Sequence, residues 1–166
     1  MRNKIWVSLV NYYSKASIMD NMVTRYQKYD KRVNMILAIT SSGFIAAWSI
    51  WNFIPKIWAT IVAIAQVIQT IKPYVPYSKY IRTLNEKSKS LHEINQKFER
   101  LFYDYDNTNI KEEVSASRYF KLKEKAENLC FFEDDMDFIP KNTDIEKANK
   151  ETALYLKTEY NVELKK

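Results

Sequence analysis

Two long apolar stretches, separated by a single lysine, lie in the first half of the chain. From Val33 to Pro55 no residue is charged, and after Lys56 a second uncharged stretch runs from Ile57 to Ile71. A helix rises about 1.5 Å per residue and the hydrocarbon core of a bilayer is about 30 Å thick, so the first stretch is long enough to span a membrane. The second stretch spans only if the lysines at its ends extend their charges to the head groups. The pattern predicts a two-helix transmembrane hairpin over residues 33–72.

Aromatic residues border the two stretches where a membrane-spanning hairpin would meet the head groups. Tryptophans lie around the turn, and tyrosines lie before the first stretch and after the second. Such rings favour the interface between lipid and water because each has an apolar body and a polar end. The predicted interface anchors are Trp48, Trp51, Trp58, Lys56, Lys72 and Tyr74. The alternative interpretation is a core hairpin of a soluble helical protein.

The basic residues predict the orientation of the hairpin. The segment before it, residues 1–32, contains more basic than acidic residues, whereas the turn contains only Lys56. Cytoplasmic segments near membrane spans carry an excess of Lys and Arg. We therefore expect both termini to face the cytoplasm and membrane lipid to be a partner of the chain.

The segment 1–32 has an apolar periodicity of its own. Its apolar residues alternate spacings of four and three, the pattern of a helix face that packs on another helix. The positions of this N-terminal seam are Ile5, Leu9, Tyr12, Ala16, Met19, Val23 and Tyr26. We predict an amphipathic cytoplasmic helix that packs against another helix. The alternative is a helix that lies on the membrane surface.

A second heptad pattern follows Pro73 and Pro76, within a cytoplasmic helical region predicted for residues 73–166. The positions of this C-terminal seam are Tyr77, Tyr80, Leu84, Leu91, Ile94, Phe98, Leu101 and Tyr105. Lys87 occupies the one polar position of the repeat. The spacing predicts a long helix that ends at about Tyr103 and packs against the N-terminal seam.

Two further helices are predicted near the C-terminus. Asn109 with Glu112 has the spacing of a capping pair that begins a helix. A second capping pair, Thr143 with Glu146, begins the last helix, from about residue 144 to residue 160. The predicted apolar sides are Val114, Leu122, Ala126, Leu129 and Cys130 in the first helix, and Ile145, Ala148, Leu154 and Tyr155 in the second.

Small and polar residues form stripes within the two predicted spans. One stripe consists of Ala38, Ser42, Ala46 and Ser49, and the other consists of Ala59, Ala63, Gln66 and Thr70. In lipid, helices associate through small residues that let their backbones approach, so hairpin packing is one interpretation. The other is a pore lined by several copies, because polar groups deep in a bilayer avoid lipid. No charged residue lies inside either span, which argues against a carboxylate relay or an arginine voltage sensor.

Composition narrows the fold class. One glycine, four prolines and 14% aromatic residues in a chain of 166 favour a nearly all-helical protein. The single cysteine, Cys130, cannot form an internal disulfide. The net charge of +6 at pH 7 occurs without a nucleic-acid-binding motif. It fits attraction to an anionic membrane leaflet better.

The sequence contains no recognisable catalytic apparatus. Neither a glycine-rich phosphate loop nor a GxSxG motif is present, and the only histidine, His92, lies on the long helix, where structural roles are common. The acidic loop from Glu133 to Asp137 lacks the glycine and the ligand spacing of a calcium loop. We therefore predict no catalytic residue, no cofactor, no metal and no nucleic-acid partner.

Three features occur in a fixed order along the chain. The basic and aromatic segment RYQKYDKRVN precedes the first span, the second span ends at Lys72 and Pro73, and a long amphipathic helix follows. Ile139 and Pro140 then precede a helix that contains Ala148. In these features residues 11–156 resemble the SLATT family, small two-transmembrane bacterial effectors associated with nucleotide-synthesising and nucleotide-sensing defence systems.

The resemblance implies a membrane effector that oligomerises or opens when an upstream sensor detects phage, and that depolarises the host cell in abortive infection. It also implies a location in the bacterial inner membrane and a partner that is a defence sensor or nucleotide-signalling protein. Because no nucleotide sensor is recognisable in the sequence, the trigger stays open between a ligand, a partner protein and release from inhibition.

The predicted fold is all-α: a two-transmembrane-helix hairpin with a cytoplasmic amphipathic helical bundle. The predicted function is a pore-forming or membrane-disrupting defence effector that acts as a homo-oligomer. The alternative is a non-conducting membrane anchor whose cytoplasmic helices recruit a partner protein.

Overall fold

The part of the chain that the computed structural model describes forms five α-helices and one 3-10 turn. The described ranges are 1–46, 55–74, 77–107, 110–130 and 139–162, without the side chains of 40–46, 55, 56 and 58. The helices are α1 (Arg2–Ala46), α2 (Pro55–Ile71), α3 (Tyr77–Asn107), α4 (Glu112–Cys130) and α5 (Asn142–Tyr160), and the 3-10 turn is Lys72–Tyr74. Every regular element within these ranges is helical, which confirms the all-α prediction.

The helices group into two compact units. The first unit consists of Met1–Val23 and Arg82–Lys166, and the second unit consists of Thr24–Ile81. Long helices cross both divisions, so α1 and α3 each contribute to both units. The sequence placed its divisions at 32/33 and 72/73, where charge gives way to apolar residues. Packing places them elsewhere because a continuous helix does not end where its composition changes.

An antiparallel pair formed by α1 and α3 is the basis of the first unit. At one end the Arg2 guanidinium donates to the Asp106 carboxylate at 2.8 Å. Toward the other end the Asp20 carboxylate contacts the His92 ring at 2.9 Å. The buried seam residues of the pair are Ile5, Leu9, Tyr12, Ala16, Met19 and Val23 on α1, and Leu84, Leu91, Ile94, Phe98 and Leu101 on α3. The predicted pairing of the two seams is confirmed.

Helix α4 packs against the α1–α3 pair through Tyr119. The Tyr119 hydroxyl is 3.0 Å from the Ser8 hydroxyl of α1. Its ring meets the Phe98 ring of α3 edge to face, with centroids 6.0 Å apart. Tyr119 therefore contributes both apolar contact and a satisfied polar end to the core.

Helix α5 packs against the same pair through aromatic rings. Tyr155 stacks on Tyr13 of α1 with ring centroids 3.9 Å apart. Tyr160 packs against Trp6 of α1 at 4.9 Å and against Phe102 of α3 at 6.2 Å. Edge-on aromatic pairs such as those of Tyr160 each contribute about 0.5–1.5 kcal/mol beyond the area they bury.

The buried faces of α4 and α5 differ from the predicted apolar sides. Val114 and Leu154 were assigned to those sides but are 43% and 66% exposed. The buried residues are Ser115, Tyr119 and Ala126 in α4, and Asp144, Ala148, Thr152 and Leu156 in α5. Thr152 can occupy a buried helix position because its hydroxyl donates to the Ala148 backbone carbonyl at 2.7 Å.

The helix ends also correct the sequence-based predictions. The Asp144 carboxylate accepts a hydrogen bond from the Lys141 backbone N–H at 3.0 Å and so begins α5, whereas the predicted capping pair was Thr143 with Glu146. Helix α4 begins at Glu112, and its predicted capping partner, Asn109, lies outside the described residues. Helix α3 extends one turn past the predicted end, to Asn107.

In the second unit the end of α2 lies beside α1. The Lys72 ammonium donates to the Asn34 side-chain oxygen at 2.6 Å. At the base of the unit Tyr26 packs against the rings of Tyr77 and Tyr80, with centroids 6.2 and 5.9 Å away. Among the described residues, no helix is both long enough and apolar enough to cross a membrane.

Candidate functional site

The second unit exposes large apolar side chains on both of its long helices. Those on α1 are Met35, Ile36 and Ile39, and those on α2 are Ile57, Ile61, Ile64, Val67 and Ile71. Most of them keep about half of their surface exposed, and Ile39 keeps 63%. We name this set the apolar surface. Exposed apolar side chains that cluster on neighbouring helices usually mark contact with a membrane or with another protein.

The side of α2 that is buried within the chain is a different one. Ala65 is 9% exposed, and Val62 and Ile68, three residues to either side, are partly buried. Residues spaced by three share one helix face, so this face is the one that packs. The predicted stripe of Ala59, Ala63, Gln66 and Thr70 is exposed. We name it the exposed stripe.

The polar members of the exposed stripe lie close together on α2. The Thr70 hydroxyl donates to the Gln66 backbone carbonyl at 2.9 Å, which is the usual way to satisfy a hydroxyl on a helix that faces apolar surroundings. The Gln66 side chain is exposed. An exposed amide can bond to a neighbouring copy or to water.

The remaining predicted residues of the hairpin divide into described and undescribed ones. Lys72 is exposed and bonds to Asn34, and Tyr74 is 81% exposed. On α1, Ala38 is also exposed. The side chains that lie outside the described residues are those of Ser42, Ala46, Ser49, Trp48, Trp51, Trp58 and Lys56.

A polar chain at the end of α2 was not predicted from the sequence. The Asn34 amide donates to the Asp30 carboxylate at 2.9 Å and accepts from Lys72, so three side chains are joined. These three side chains place a cation, an amide and an anion at one end of the apolar surface. The signal in the sequence was weak because Asn34 lies within an uncharged stretch.

The first unit contains a polar cluster between α1 and α3. Ser88 is completely buried, and its hydroxyl donates to the Asp20 carboxylate at 2.5 Å. His92, one turn further along α3, contacts the other oxygen of the same carboxylate at 2.9 Å. Partial burial by itself raises the pKa of Asp20, but the hydrogen bonds from His92 and Ser88 outweigh it and hold that pKa below its usual value.

This cluster contains the residue types of a hydrolytic triad but not its geometry. In such a triad the serine hydroxyl bonds to the histidine, which takes up its proton. Here the Ser88 hydroxyl bonds to Asp20 and to the Ala16 carbonyl, and no part of Ser88 is exposed to a substrate. The cluster therefore joins the two helices, and Ser88 rather than Lys87 occupies the polar position of the C-terminal seam.

A tyrosine cluster joins α5 to α3. The Tyr155 hydroxyl donates to the Glu99 carboxylate, and Tyr13 stacks on the Tyr155 ring. Burial raises the pKa of Tyr155, and its hydrogen bond to Glu99 raises it further, so the phenol stays protonated and acts as a donor. At the end of α4, burial likewise raises the pKa of the Cys130 thiol.

Within the described ranges, no three His, Cys, Asp or Glu side chains are placed to hold a metal ion. The acidic loop from Glu133 to Asp137 lies outside the described residues. Comparisons of this chain with protein-family models, with curated proteins and with solved structures find no match.

Proposed function

We propose that this chain is a membrane effector of a bacterial anti-phage defence system. In this proposal the chain lies in the inner membrane with both termini in the cytoplasm. When an upstream nucleotide or protein signal triggers it, it oligomerises and forms a pore or disrupts the membrane, which causes abortive infection. The observation that carries the proposal is the apolar surface of the second unit, and the resemblance to the SLATT family supports the class of effector.

Transfer of the apolar surface into lipid is favourable. Burying an exposed isoleucine or valine side chain completely contributes about 1.5–3 kcal/mol, and the surface contains several of them. Helix α2 has 17 residues, which extend about 26 Å, slightly less than the hydrocarbon core. Lys72 at its end has a long apolar stem that can bring its charge to the head groups.

The proposal assigns different roles to the two exposed sides of α2. The isoleucine side, which includes Ile57 and Ile64, contacts lipid. The exposed stripe contacts another copy of the chain or lines a pore, because small residues allow close helix approach and Gln66 can hydrogen-bond there. The exposure of both sides within one chain supports this division.

Membrane potential tests the pore directly. Cells that express the chain are loaded with a voltage-sensitive dye, and the wild type is compared with Gln66→Leu. We expect the wild type to depolarise the cells and Gln66→Leu, expressed at the same level, to depolarise them to a different degree. Thr60→Val is the matched control, because Thr60 is also polar and exposed on α2 but lies about a third of a turn around the helix from Gln66. Equal depolarisation by all three proteins contradicts a pore lined at Gln66.

The alternative function is a non-conducting anchor that recruits a partner protein. A cleft of about 370 Å³ in the first unit favours it, because its lining combines the aromatic residues Phe102, Tyr103 and Tyr160 with acidic ones. We name it the aromatic cleft. Replacement of residues 33–72 by an unrelated two-span segment should preserve the function of an anchor and abolish that of a pore. Extraction of the chain by a carbonate wash would contradict both.

A further inference from the structure

A second cleft, of about 340 Å³, is lined by α3 and α4 in the first unit. Four basic side chains surround it, Lys97 and Arg100 from α3 and Arg118 and Lys121 from α4. We name it the basic cleft. It is separate from the apolar surface and from the polar cluster at Asp20.

The cations of the basic cleft are not balanced by acids in its lining. One carboxylate, that of Asp104, lines the cleft, and it lies 3.6 Å from the Arg118 guanidinium. Within the described part of the chain, Lys97, Arg100 and Lys121 form no ion pair. On each helix the two cations are three residues apart, where like charges repel each other. The four cations therefore contribute little to the stability of the fold.

The floor of the basic cleft strengthens its electrostatic field. Leu101, which is 3% exposed, and Leu122, which is partly buried, both line it. Charges beside an apolar, weakly polarisable wall interact more strongly than charges surrounded by water. The cleft is thus a concave, positively charged site with an apolar base.

The basic cleft differs in charge from the neighbouring cleft on α3. The aromatic cleft, which also uses α3 and shares Arg100 and Asp104 with the basic cleft, contains two further acids, Glu99 and Asp106. The two clefts that α3 lines therefore differ in the sign of their net charge.

We propose that the basic cleft binds two or more phosphate groups at once. Guanidinium groups bind phosphate through paired hydrogen bonds, and lysines bind it as point charges. A cleft of about 340 Å³ has the size of a small-molecule site. The phosphates belong either to a free small molecule or to lipid head groups, and both present the same chemistry to the cleft.

Calorimetric titration of the full chain in neutral detergent with inorganic triphosphate tests the site. The double variant Lys97→Gln with Lys121→Gln removes one cation from each helix of the cleft. Its matched control is Lys89→Gln with Lys125→Gln, which makes the same changes at exposed positions of the same helices outside the cleft. We expect triphosphate to bind the wild type and the control equally, and affinity to fall about tenfold for each cleft cation removed.

A second arm distinguishes the two sources of phosphate. The titration is repeated in micelles that contain phosphatidylglycerol. If phosphatidylglycerol lowers the affinity for triphosphate, and does so only when Lys97 and Lys121 are present, the cleft binds head groups. If phosphatidylglycerol leaves the affinity unchanged, the cleft binds a free ligand. Equal weakening by the cleft variant and its control, or the absence of binding in both arms, overturns the proposal.

The inference does not depend on the proposed function. Binding is measured on detergent-solubilised chain, whereas the membrane effector is tested by depolarisation of cells. If the chain binds triphosphate but does not depolarise cells, the anion site is supported and the proposed effector function is contradicted. If the chain depolarises cells but binds neither triphosphate nor head groups, the effector function is supported and the anion site is contradicted.

Discussion

Phe98 lies where three helices of the first unit meet. It is completely buried, its ring stacks on Tyr12 of α1 at 5.5 Å, and it meets Tyr119 of α4 edge to face. Removing a buried phenylalanine loses its transfer free energy and leaves a cavity. We expect Phe98→Ala to lower the free energy of unfolding by about 3–5 kcal/mol, measured by urea denaturation followed by circular dichroism in neutral detergent.

Phe120→Ala is the matched control for this prediction. Phe120 contacts the Tyr119 ring at 5.3 Å but is 57% exposed, so its truncation leaves no enclosed cavity. We expect a loss of about 1 kcal/mol or less. Similar losses for the two variants would show that Phe98 is not at the centre of the core.

The stability that the Asp20 side chain contributes depends on pH. Its pKa is lower in the folded chain than its ordinary value of 3.8, so the stability that the carboxylate contributes is fully present above 3.8 and is lost as pH falls through the folded-state pKa. We expect the difference in the free energy of unfolding between wild type and Asp20→Asn to shrink on acidification. Urea denaturation at several pH values measures it, and a difference that grows below pH 3.8 would contradict the assignment.

At the scale of single helices, the end of α5 depends on one backbone conformation. Asn161 has φ 53° and ψ 33°, the left-handed region, and its backbone N–H bonds to the Leu156 carbonyl. Glycine adopts this region without cost and asparagine tolerates it, whereas a β-branched residue does not.

We therefore expect Asn161→Gly to leave stability nearly unchanged and Asn161→Val to lower the free energy of unfolding by about 1–2 kcal/mol. Thermal unfolding followed by circular dichroism compares the two variants under the same conditions. If glycine and valine had equal effects, the left-handed conformation would have no part in ending the helix.

At the scale of the whole molecule, α2 has one side that packs within the chain and two sides that remain exposed for contact with other molecules. Ala65 is buried within one chain, whereas Ala63 and Ile64 are exposed. The proposed oligomer brings the exposed stripe of one copy against another copy. The isoleucine side then remains in contact with lipid.

Cysteine cross-linking measures this assembly. In a Cys130→Ser background, which removes the only native cysteine, we expect Ala63→Cys to form disulfide-linked dimers on mild oxidation of membranes. Ile64→Cys is the control, because it is the adjacent exposed residue on the isoleucine side. Stronger cross-linking at Ile64 than at Ala63 would place the contact between copies on the isoleucine side of the helix.

Heptad spacing was enough to predict the pairing of α1 with α3. Residues such as Leu9 and Leu91 recur every three or four positions, and a stripe of that kind must be covered by another element. The same reasoning failed at Val114 and Leu154, because hydrophobicity alone does not say which of several adjacent positions faces the core. Successive residues on a helix point about 100° apart, so a shift of one position changes the buried face.

The sequence by itself determined the all-α class, the two seams and the uncharged stretches on either side of Lys56, because periodicity and charge are properties of neighbouring residues. Only the tertiary structure decided that Ser88 rather than Lys87 occupies the seam, that Asp20 and His92 meet, and that two helices bring four cations to one cleft. Those features join residues far apart in the chain. Their contacts depend on how each helix is rotated and on how the helices are set in register, and local spacing does not encode that.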